Sequence, residues 1–221
     1  MPNYTLNIYP TNEMTQQLFS KLARKGRLAH SANDHGPFKI WCDNLRPSNV
    51  LVNKNLQIVG VIDWEFAYAA PVEFSHAPRW WLLLEQPEYW PDGIEAWAKQ
   101  FESRLQTFLK VLTEREETAM QQGRLRQEQR LSGPMRQSWV NGDFWVTYAA
   151  RKNFAFMIFW KKLDHRTFGS CTIPEENRWE KRMKLLSEEE SQFMEQAVSR
   201  KLEQIEKRVL AWEPEEVDMV V

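Results

Sequence analysis

The stretch from Phe38 to Glu65 constrains the fold of this chain more than any other part of the sequence. Three short apolar runs, 38–41, 50–52 and 58–62, are rich in β-branched and aromatic residues, which is typical of strands. Asn53-Lys54-Asn55 separates the second run from the third and has the length and composition of a hairpin turn. We therefore predict an antiparallel hairpin, preceded by a polar loop that Pro47 kinks.

The hairpin makes a specific prediction about two polar side chains. Asn49 stands just before one hairpin strand and Asp63 stands just after the other, so antiparallel pairing brings them together. The loop that carries Asp43 and Asn44 lies beside them. Carboxylate and amide oxygens are hard ligands of the kind that Mg²⁺ takes from proteins, with water and phosphate completing its coordination. The sequence thus predicts a magnesium site at this end of the hairpin.

The same stretch resembles the catalytic loop and metal-binding segment of the aminoglycoside phosphotransferase and choline kinase type family, within the protein kinase-like superfamily. The family pattern His-Gly-Asp-Leu-His-Pro-Gly-Asn aligns with Cys-Asp-Asn-Leu-Arg-Pro-Ser-Asn at 42–49, and Ile-Asp-Trp-Glu recurs at 62–65. The segments 78–84 and 141–151 also resemble fungal members. The resemblance implies an α+β, mostly helical fold, the C-terminal lobe of a kinase-like protein with a small antiparallel β-hairpin sheet that carries the catalytic loop.

The resemblance also implies a function, which is transfer of the γ-phosphoryl group of ATP to a hydroxyl of a small-molecule substrate. Asn49 and Asp63 would hold Mg²⁺, and Arg46 would line the phosphate or substrate side. The family's catalytic base stands five positions before the metal-binding Asn, where this chain has Asn44, and Asp43 is one position out of step. An amide cannot take a proton from a hydroxyl, and loss of a general base costs about a hundredfold to ten-thousandfold in rate. We therefore expect impaired catalysis.

The upstream half of a kinase-like enzyme is not evident in the sequence. Only 37 residues precede Phe38, and Gly26 and Gly36 are their only glycines, so no Gly-rich phosphate loop is expected there. Three alternatives follow: a truncated gene product, a non-catalytic pseudo-phosphotransferase that acts as a binding module, or a lobe that works with a partner supplying the missing N-terminal lobe.

Composition excludes several other classes of protein. Hydrophobic residues make up 43% and aromatic residues 13%, as in a globular protein rather than a disordered chain. A formal charge of −1 offers no general attraction to nucleic acid or to an anionic membrane. Two distant cysteines fit a reducing compartment, and no apolar run is long enough to span a bilayer. We expect a cytoplasmic protein.

We expect three regions along the chain. Residues 1–15 would be an irregular N-terminal segment, 16–185 the phosphotransferase-like lobe, and 186–221 a C-terminal amphipathic helix and tail. Within the lobe a helix is predicted over 16–28, and 69–90 would be irregular apart from a turn or two near Trp80. The aromatic residues of that segment would be core packing or, alternatively, a cage for a substrate cation.

Two helix starts are predicted from capping boxes. Asp92 with Glu95 would begin a long helix with an apolar stripe, and Ser187 with Glu190 would begin the C-terminal helix. The stripe of the long helix repeats at steps of three and four residues and comprises Ile94, Trp97, Phe101, Leu105, Phe108 and Leu112.

Overall fold

The computed structural model describes residues 3–26, 28, 31–151, 158–174 and 177–206. It is an α+β, mostly helical structure with small antiparallel sheets. The chain divides into two compact units, residues 1–22 with 171–221 and residues 23–170. These divisions fall at different positions from the predicted boundaries at 15/16 and 185/186.

The larger unit opens with four strands that form two separate antiparallel pairs. They are β1 (Phe38–Cys42), β2 (Val50–Val52), β3 (Ile58–Val61) and β4 (Ala67–Pro71). Strand β1 pairs with β4 so that Phe38 lies opposite Pro71 and Cys42 opposite Ala67. Strand β2 pairs with β3, with Val50 opposite Val61. The predicted hairpin of residues 50–52 with 58–62 is thus confirmed.

The hairpin turn is stabilised by the side chain of Asn53. Its Oδ1 accepts the backbone N–H groups of Asn55, at 2.9 Å, and Gln57, at 3.0 Å. This is an Asx turn, a reason for which Asn is favoured in short connections. The resulting β2–β3 ribbon leaves large apolar side chains on its surface, since Leu56 is 84% exposed and Ile58 69% exposed.

The expectation of an irregular segment over 69–90 is partly wrong. Strand β4 continues to Pro71, and the short helix α2 (Val72–His76) follows it directly. The segment Ala-Tyr-Ala-Ala-Pro has weak strand propensity on its own. It becomes a strand because β1 offers a backbone edge to pair with. The predicted helical turn near Trp80 is present, as a 3₁₀ turn at Trp80–Leu83.

The predicted long helix is present as α3 (Gly93–Gln121). Its buried stripe follows the predicted spacing through Leu105. Beyond that point Leu109, at 1% exposure, is buried in place of Phe108, and Leu112 is only half-buried. The predicted Asp92–Glu95 capping box is absent, because Asp92 makes no side-chain cap. Gly93 has φ +81°, so the backbone enters the helix through a left-handed residue and Asp92 does not adopt the geometry of a cap.

A helical layer follows α3, and its first two helices pack on α3 through aromatic side chains. It consists of α4 (Ser132–Asn141), α5 (Asp143–Ala150), a π-helical turn at Phe159–Leu163, and α6 (Asp164–Phe168). Trp97 stacks on Phe101 with ring centroids 4.4 Å apart, and Phe144 lies against both rings. Gly142, at φ +73°, provides the left-handed residue between α4 and α5. The core of this unit is therefore aromatic.

A buried carboxylate near the end of α3 caps the start of α4. Glu116 is 6% exposed and accepts the backbone N–H groups of Leu131, at 2.6 Å, and Ser132, at 3.0 Å. It also accepts the Ser132 hydroxyl at 2.5 Å and the Arg130 Nε–H at 3.2 Å. Burial raises the pKa of Glu116, but these hydrogen bonds outweigh that effect and leave the pKa below its ordinary value.

In the smaller unit, helix α1 (Asn3–Arg24) and helix α8 (Glu188–Glu206) run antiparallel, because Lys21 pairs with Glu190 while Lys201 pairs with Glu13. The short helix α7 (Arg178–Arg182) precedes α8. The expectation of an irregular segment over 1–15 is wrong for residues 3–15, which are helical, and the helix predicted over 16–28 begins earlier, at Asn3, and ends earlier, at Arg24. Met14 and Leu18 are fully buried one turn apart and support this helix.

The predicted capping box of the C-terminal helix is confirmed. The Ser187 hydroxyl accepts the Glu190 N–H at 3.2 Å, and the Glu190 carboxylate accepts the Ser187 N–H at 2.9 Å. The predicted tail beyond residue 206 lies outside the described residues.

Candidate functional site

Asn49 lies where the polar loop enters strand β2. Pro47 opens a 3₁₀ turn over Pro47–Asn49, and the Asn49 side chain is 5% exposed. Its Nδ2 donates to the Asn44 carbonyl at 2.9 Å and to Asp63 Oδ2 at 2.9 Å. The Ile62 N–H donates to the Asn49 carbonyl at 3.0 Å, which extends the β2–β3 pairing. The predicted proximity of Asn49 and Asp63 is therefore confirmed.

Asn44 joins the same group of side chains. Its Nδ2 donates to Asp63 Oδ2 and, at 3.4 Å, to Glu65 Oε1. We call Asn44, Asn49, Asp63 and Glu65 the amide–carboxylate site. Both carboxylates are exposed, whereas Asn49 is buried beneath them. Asp63 and Glu65 therefore expose carboxylate oxygens to solvent, and the side-chain amides of Asn44 and Asn49 hold these carboxylates by hydrogen bonds.

The backbone that carries the two carboxylates is unusual. Asp63 has φ +64° and Phe66 has φ +59°, and neither residue is glycine. Non-glycine residues in this region cost about 1 to 3 kcal/mol each and cluster at functional sites. The buried Cys42 thiol contacts the carbonyls of Asp63, at 3.9 Å, and Glu65, at 3.3 Å, from below. The chain thus holds Asp63 and Phe66, on either side of Glu65, in a backbone conformation that non-glycine residues do not favour.

Asp43 faces a different set of partners, in keeping with its one-residue offset from Asn44. Its carboxylate accepts the Trp41 Nε1–H at 2.8 Å and the Tyr68 hydroxyl at 2.9 Å. Burial, followed by the hydrogen bond to Asp43, raises the pKa of Tyr68 to about 12. Tyr68 therefore remains a hydrogen-bond donor at neutral pH, and Asp43 is committed to these contacts.

Two arginines complete this second group. Arg79 lies over the Trp41 ring with 3.5 Å between its Cζ and the ring centroid, and Arg151 lies 4.6 Å from the same ring. Arg151 Nη1 is 3.8 Å from Asp43 Oδ1. We call Trp41, Asp43, Tyr68, Arg79 and Arg151 the Trp41 cluster. Cation–π contacts of this kind stabilise a desolvated guanidinium by up to about 2 kcal/mol.

The charges of the Trp41 cluster are only partly balanced, with two guanidiniums beside one carboxylate. Burial and the charge of Arg151 lower the pKa of Arg79 to about 10, while Asp43 raises it. Burial likewise lowers the pKa of Arg151, and Asp43 partly offsets that effect. Both arginines stay charged at pH 7, and their charges lie close to the Asp43 carboxylate.

The cavity beside the Trp41 cluster is too small for a substrate. Trp80, Trp81 and Arg79 line it, and its volume is about 10 Å³, which accommodates at most one water molecule. Between the two predicted roles for this aromatic segment, the geometry favours core packing over a cage for a substrate cation.

Arg46, predicted to face phosphate or substrate, is exposed at the start of the 3₁₀ turn. Its carbonyl accepts the Asn49 N–H at 3.0 Å, so its backbone supports the loop. Its predicted role remains a prediction.

The amide–carboxylate site has the donor chemistry for a hard cation. Within the described residues no group of three or more His, Cys, Asp or Glu side chains is arranged to hold a metal ion. A cation here would therefore depend on Asp63 and Glu65, because Asn44 and Asn49 direct their Nδ2 groups at these carboxylates, and water or phosphate would supply the remaining ligands. One or two carboxylates with phosphate is the usual protein contribution to Mg²⁺ binding, so the residues present fit that ion.

Sequence reasoning did not find Tyr68, Arg79 or Arg151. Each is far from Trp41 in sequence, and no spacing rule connects them. One feature of the sequence could have pointed to Arg79 and Arg151. Both lie in the aromatic-rich segments, 78–84 and 141–151, that also resemble fungal members of the family.

No helix in the described ranges combines the length and the apolar character that a membrane span requires. Comparison of the chain with protein-family models, curated proteins and solved structures gave no match.

Proposed function

We propose that the amide–carboxylate site binds Mg²⁺ together with the phosphates of ATP, and that the chain is a kinase-like phosphotransferase lobe with impaired transfer to a small-molecule hydroxyl. The contact between Asn49 and Asp63, at 2.9 Å, carries this proposal. It joins the two motif positions that the family resemblance assigns to the metal, across a hairpin that brings them together from opposite strands. Asp63 and Glu65 add the exposed negative charge that a divalent cation requires.

Each residue has a separate part in this proposal. Mg²⁺, when bound, would neutralise charge on the phosphates of the nucleotide. Asp63 and Glu65 would hold the ion, while Asn49 would keep Asp63 in position from below. Asn44 holds both carboxylates by hydrogen bonds and cannot take a proton from an acceptor hydroxyl. Asp43 cannot replace it, because Trp41 and Tyr68 hold its carboxylate on the other side of the loop.

Calorimetric titration of the whole chain with ATP and Mg²⁺ tests the binding step. We expect measurable binding that requires Mg²⁺ and that Asp63→Asn weakens at least about tenfold, since this change removes a charged ligand. Asp43→Asn is the matched control, because it changes a carboxylate of the same loop that faces the Trp41 cluster, and it should leave binding within about twofold. Heat equal to that of buffer for the unmodified protein would refute the proposal.

A second candidate is a non-catalytic binding module, and one observation favours it. Asn44 Nδ2 donates to Asp63 Oδ2 and to Glu65 Oε1, so each carboxylate has a hydrogen-bond donor from the protein itself. Asn44→Asp distinguishes the two candidates. If the site is assembled for transfer, this change should raise ATP turnover about a hundredfold or more. Unchanged turnover in a variant with an unchanged circular dichroism spectrum would favour the binding module.

A further inference from the structure

The small cavity beside the Trp41 cluster is lined by residues whose buried hydrogen-bond donors have no acceptor. Nε and Nη1 of Arg151 are buried and form no hydrogen bond within the part of the chain that the structure describes, and the same holds for the indole Nε1 of Trp81. Both residues line this cavity. A buried N–H group without an acceptor is unfavourable and is rare in folded proteins. Three such groups on the lining residues of one cavity indicate an occupant that accepts hydrogen bonds.

The lining of the cavity also carries an excess of positive charge. Arg79 and Arg151 both line it, and among the described lining residues Asp43 supplies the only carboxylate. Glu88 accepts the Tyr148 hydroxyl at 2.6 Å and does not line the cavity. Two guanidiniums and one carboxylate leave the lining with a net charge of +1. An excess charge that is removed from water is costly unless an ion of opposite sign lies near it.

The Asp43 carboxylate does not accept the free donors of Arg151. It accepts the Trp41 indole N–H at 2.8 Å and the Tyr68 hydroxyl at 2.9 Å, whereas Arg151 Nη1 lies 3.8 Å from Asp43 Oδ1. That separation is too long for a hydrogen bond. The guanidinium of Arg151 therefore lies beside the carboxylate without a hydrogen bond to it, and its Nε and Nη1 groups remain available to a ligand.

The size of the cavity limits the occupant to a very small one. A volume of about 10 Å³ corresponds to roughly one water molecule, so phosphate, sulfate and organic carboxylates are too large. Chloride is only slightly larger than water, and small movements of the long Arg79 and Arg151 side chains would admit it. A water molecule would have to place its own two hydrogens and would leave the charge of +1 unchanged. A monatomic anion accepts hydrogen bonds from any direction and cancels that charge.

We propose that the Trp41 cluster and Trp81 form a binding site for a single chloride ion. Nε and Nη1 of Arg151 and the indole Nε1 of Trp81 donate hydrogen bonds to the ion, and Arg79 supplies the second positive charge. The bound ion brings the net charge of the lining to zero. None of the four residues of the amide–carboxylate site lines the cavity, so this site does not depend on the proposed nucleotide site.

Replacement of gluconate by chloride at constant ionic strength tests the site in solution. The whole chain is prepared in sodium gluconate, chloride replaces gluconate stepwise, and thermal unfolding gives the Tm at each step. We expect the Tm to rise with the logarithm of the chloride concentration once the site begins to fill, because an ion that binds only the folded protein stabilises it. Bromide should have the same effect. A Tm that is equal in the two salts, or lower in chloride, would overturn the proposal.

Substitutions test the assigned donors and charges. Trp81→Phe keeps an aromatic ring but removes one donor, and it should weaken chloride binding about tenfold, because hydrogen bonds to ions are strong. Trp64→Phe is the matched control, since Trp64 is 52% exposed and its indole donates to the Val61 carbonyl; it should leave binding within twofold. Arg79→Met should abolish the chloride dependence, whereas Arg104→Met, at an exposed position of α3, should not.

Circular dichroism shows whether each variant is folded, and Trp81→Phe tests the site even if Arg79→Met does not fold. If the folded variants respond to chloride as the unmodified protein does, the ion binds elsewhere and the assignment is wrong.

Bromide also locates the ion directly. In crystals of the whole chain soaked in bromide, we expect an anomalous difference peak within hydrogen-bond distance of Arg151 and Trp81. A water molecule at this position, without anomalous signal, would contradict the proposal.

Discussion

Glu116 offers the sharpest test of how the larger unit is stabilised. Its two carboxylate oxygens accept two backbone N–H groups, one hydroxyl and one guanidinium N–H, all at the junction of α3 and α4. Glu116→Gln keeps the size of the side chain but replaces one acceptor oxygen by an NH₂ group that faces Ser132 and Arg130. Hydrogen bonds to a charged group contribute about 1.5–3 kcal/mol each, against about 0.5–1.5 kcal/mol for neutral ones.

We therefore expect Glu116→Gln to lower the free energy of unfolding by about 2–4 kcal/mol, with loss of the Arg130 ion pair as the largest part. Urea denaturation at pH 7 measures this loss. Glu117→Gln is the matched control, since Glu117 is the adjacent residue, is 58% exposed and lies 3.9 Å from the same Arg130. The control should change stability by less than about 0.5 kcal/mol. A loss for Glu116→Gln within 0.5 kcal/mol of the control would refute the reasoning.

The same carboxylate predicts a pH dependence. Because the pKa of Glu116 in the folded protein lies below its ordinary value of 4.5, its contribution is fully present above pH 4.5. That contribution is lost as the pH falls through the lower folded value. Urea midpoints between pH 7 and pH 3 should therefore fall less steeply for Glu116→Gln than for the unmodified protein. Parallel curves would contradict this assignment.

Three further predictions concern positions with specific geometry. The Tyr68 phenol should titrate at a pH near 12 in the folded protein, and Asp43→Asn should move its pKa toward 10; near-ultraviolet absorbance of the two proteins measures both values. Because the folded pKa is raised, any contribution of Tyr68 to stability is fully present below pH 10 and is lost as the pH rises through about 12. Gly142→Ala should destabilise the protein by about 1–2 kcal/mol in urea, because φ is +73° and a new Cβ would lie 2.7 Å from Arg166 Nη1; a neutral result would contradict the left-handed turn. Ser187→Ala should cost about 1 kcal/mol through loss of the cap of α8, and Ser191→Ala, inside the helix, is its control in thermal unfolding.

Local sequence rules predicted the features that depend on neighbouring residues. The hairpin follows from short β-branched runs around an Asx turn, and the contact of Asn49 with Asp63 follows from antiparallel pairing. The capping box at Ser187 and the buried stripe of α3 have the same local origin. The hairpin and the Asn49–Asp63 contact are the parts of the candidate site that could be predicted without coordinates.

The remaining parts depend on contacts that no local rule encodes. Strand β4 forms only because β1 is beside it, and the cap expected at Asp92 is lost to the positive φ of Gly93. The Trp41 cluster brings Arg79 and Arg151 together from segments that are distant in sequence.

The β2–β3 ribbon has a practical consequence for work with the purified protein. Its outer backbone edges meet no further strand among the described residues, and Ile58 and Val59 expose more than half of their area. Edges of this kind are templates for pairing between molecules, so concentrated solutions will tend to aggregate through the ribbon. Solubilising charges belong at Ile58 and Val59, because these exposed apolar side chains take no part in the amide–carboxylate site.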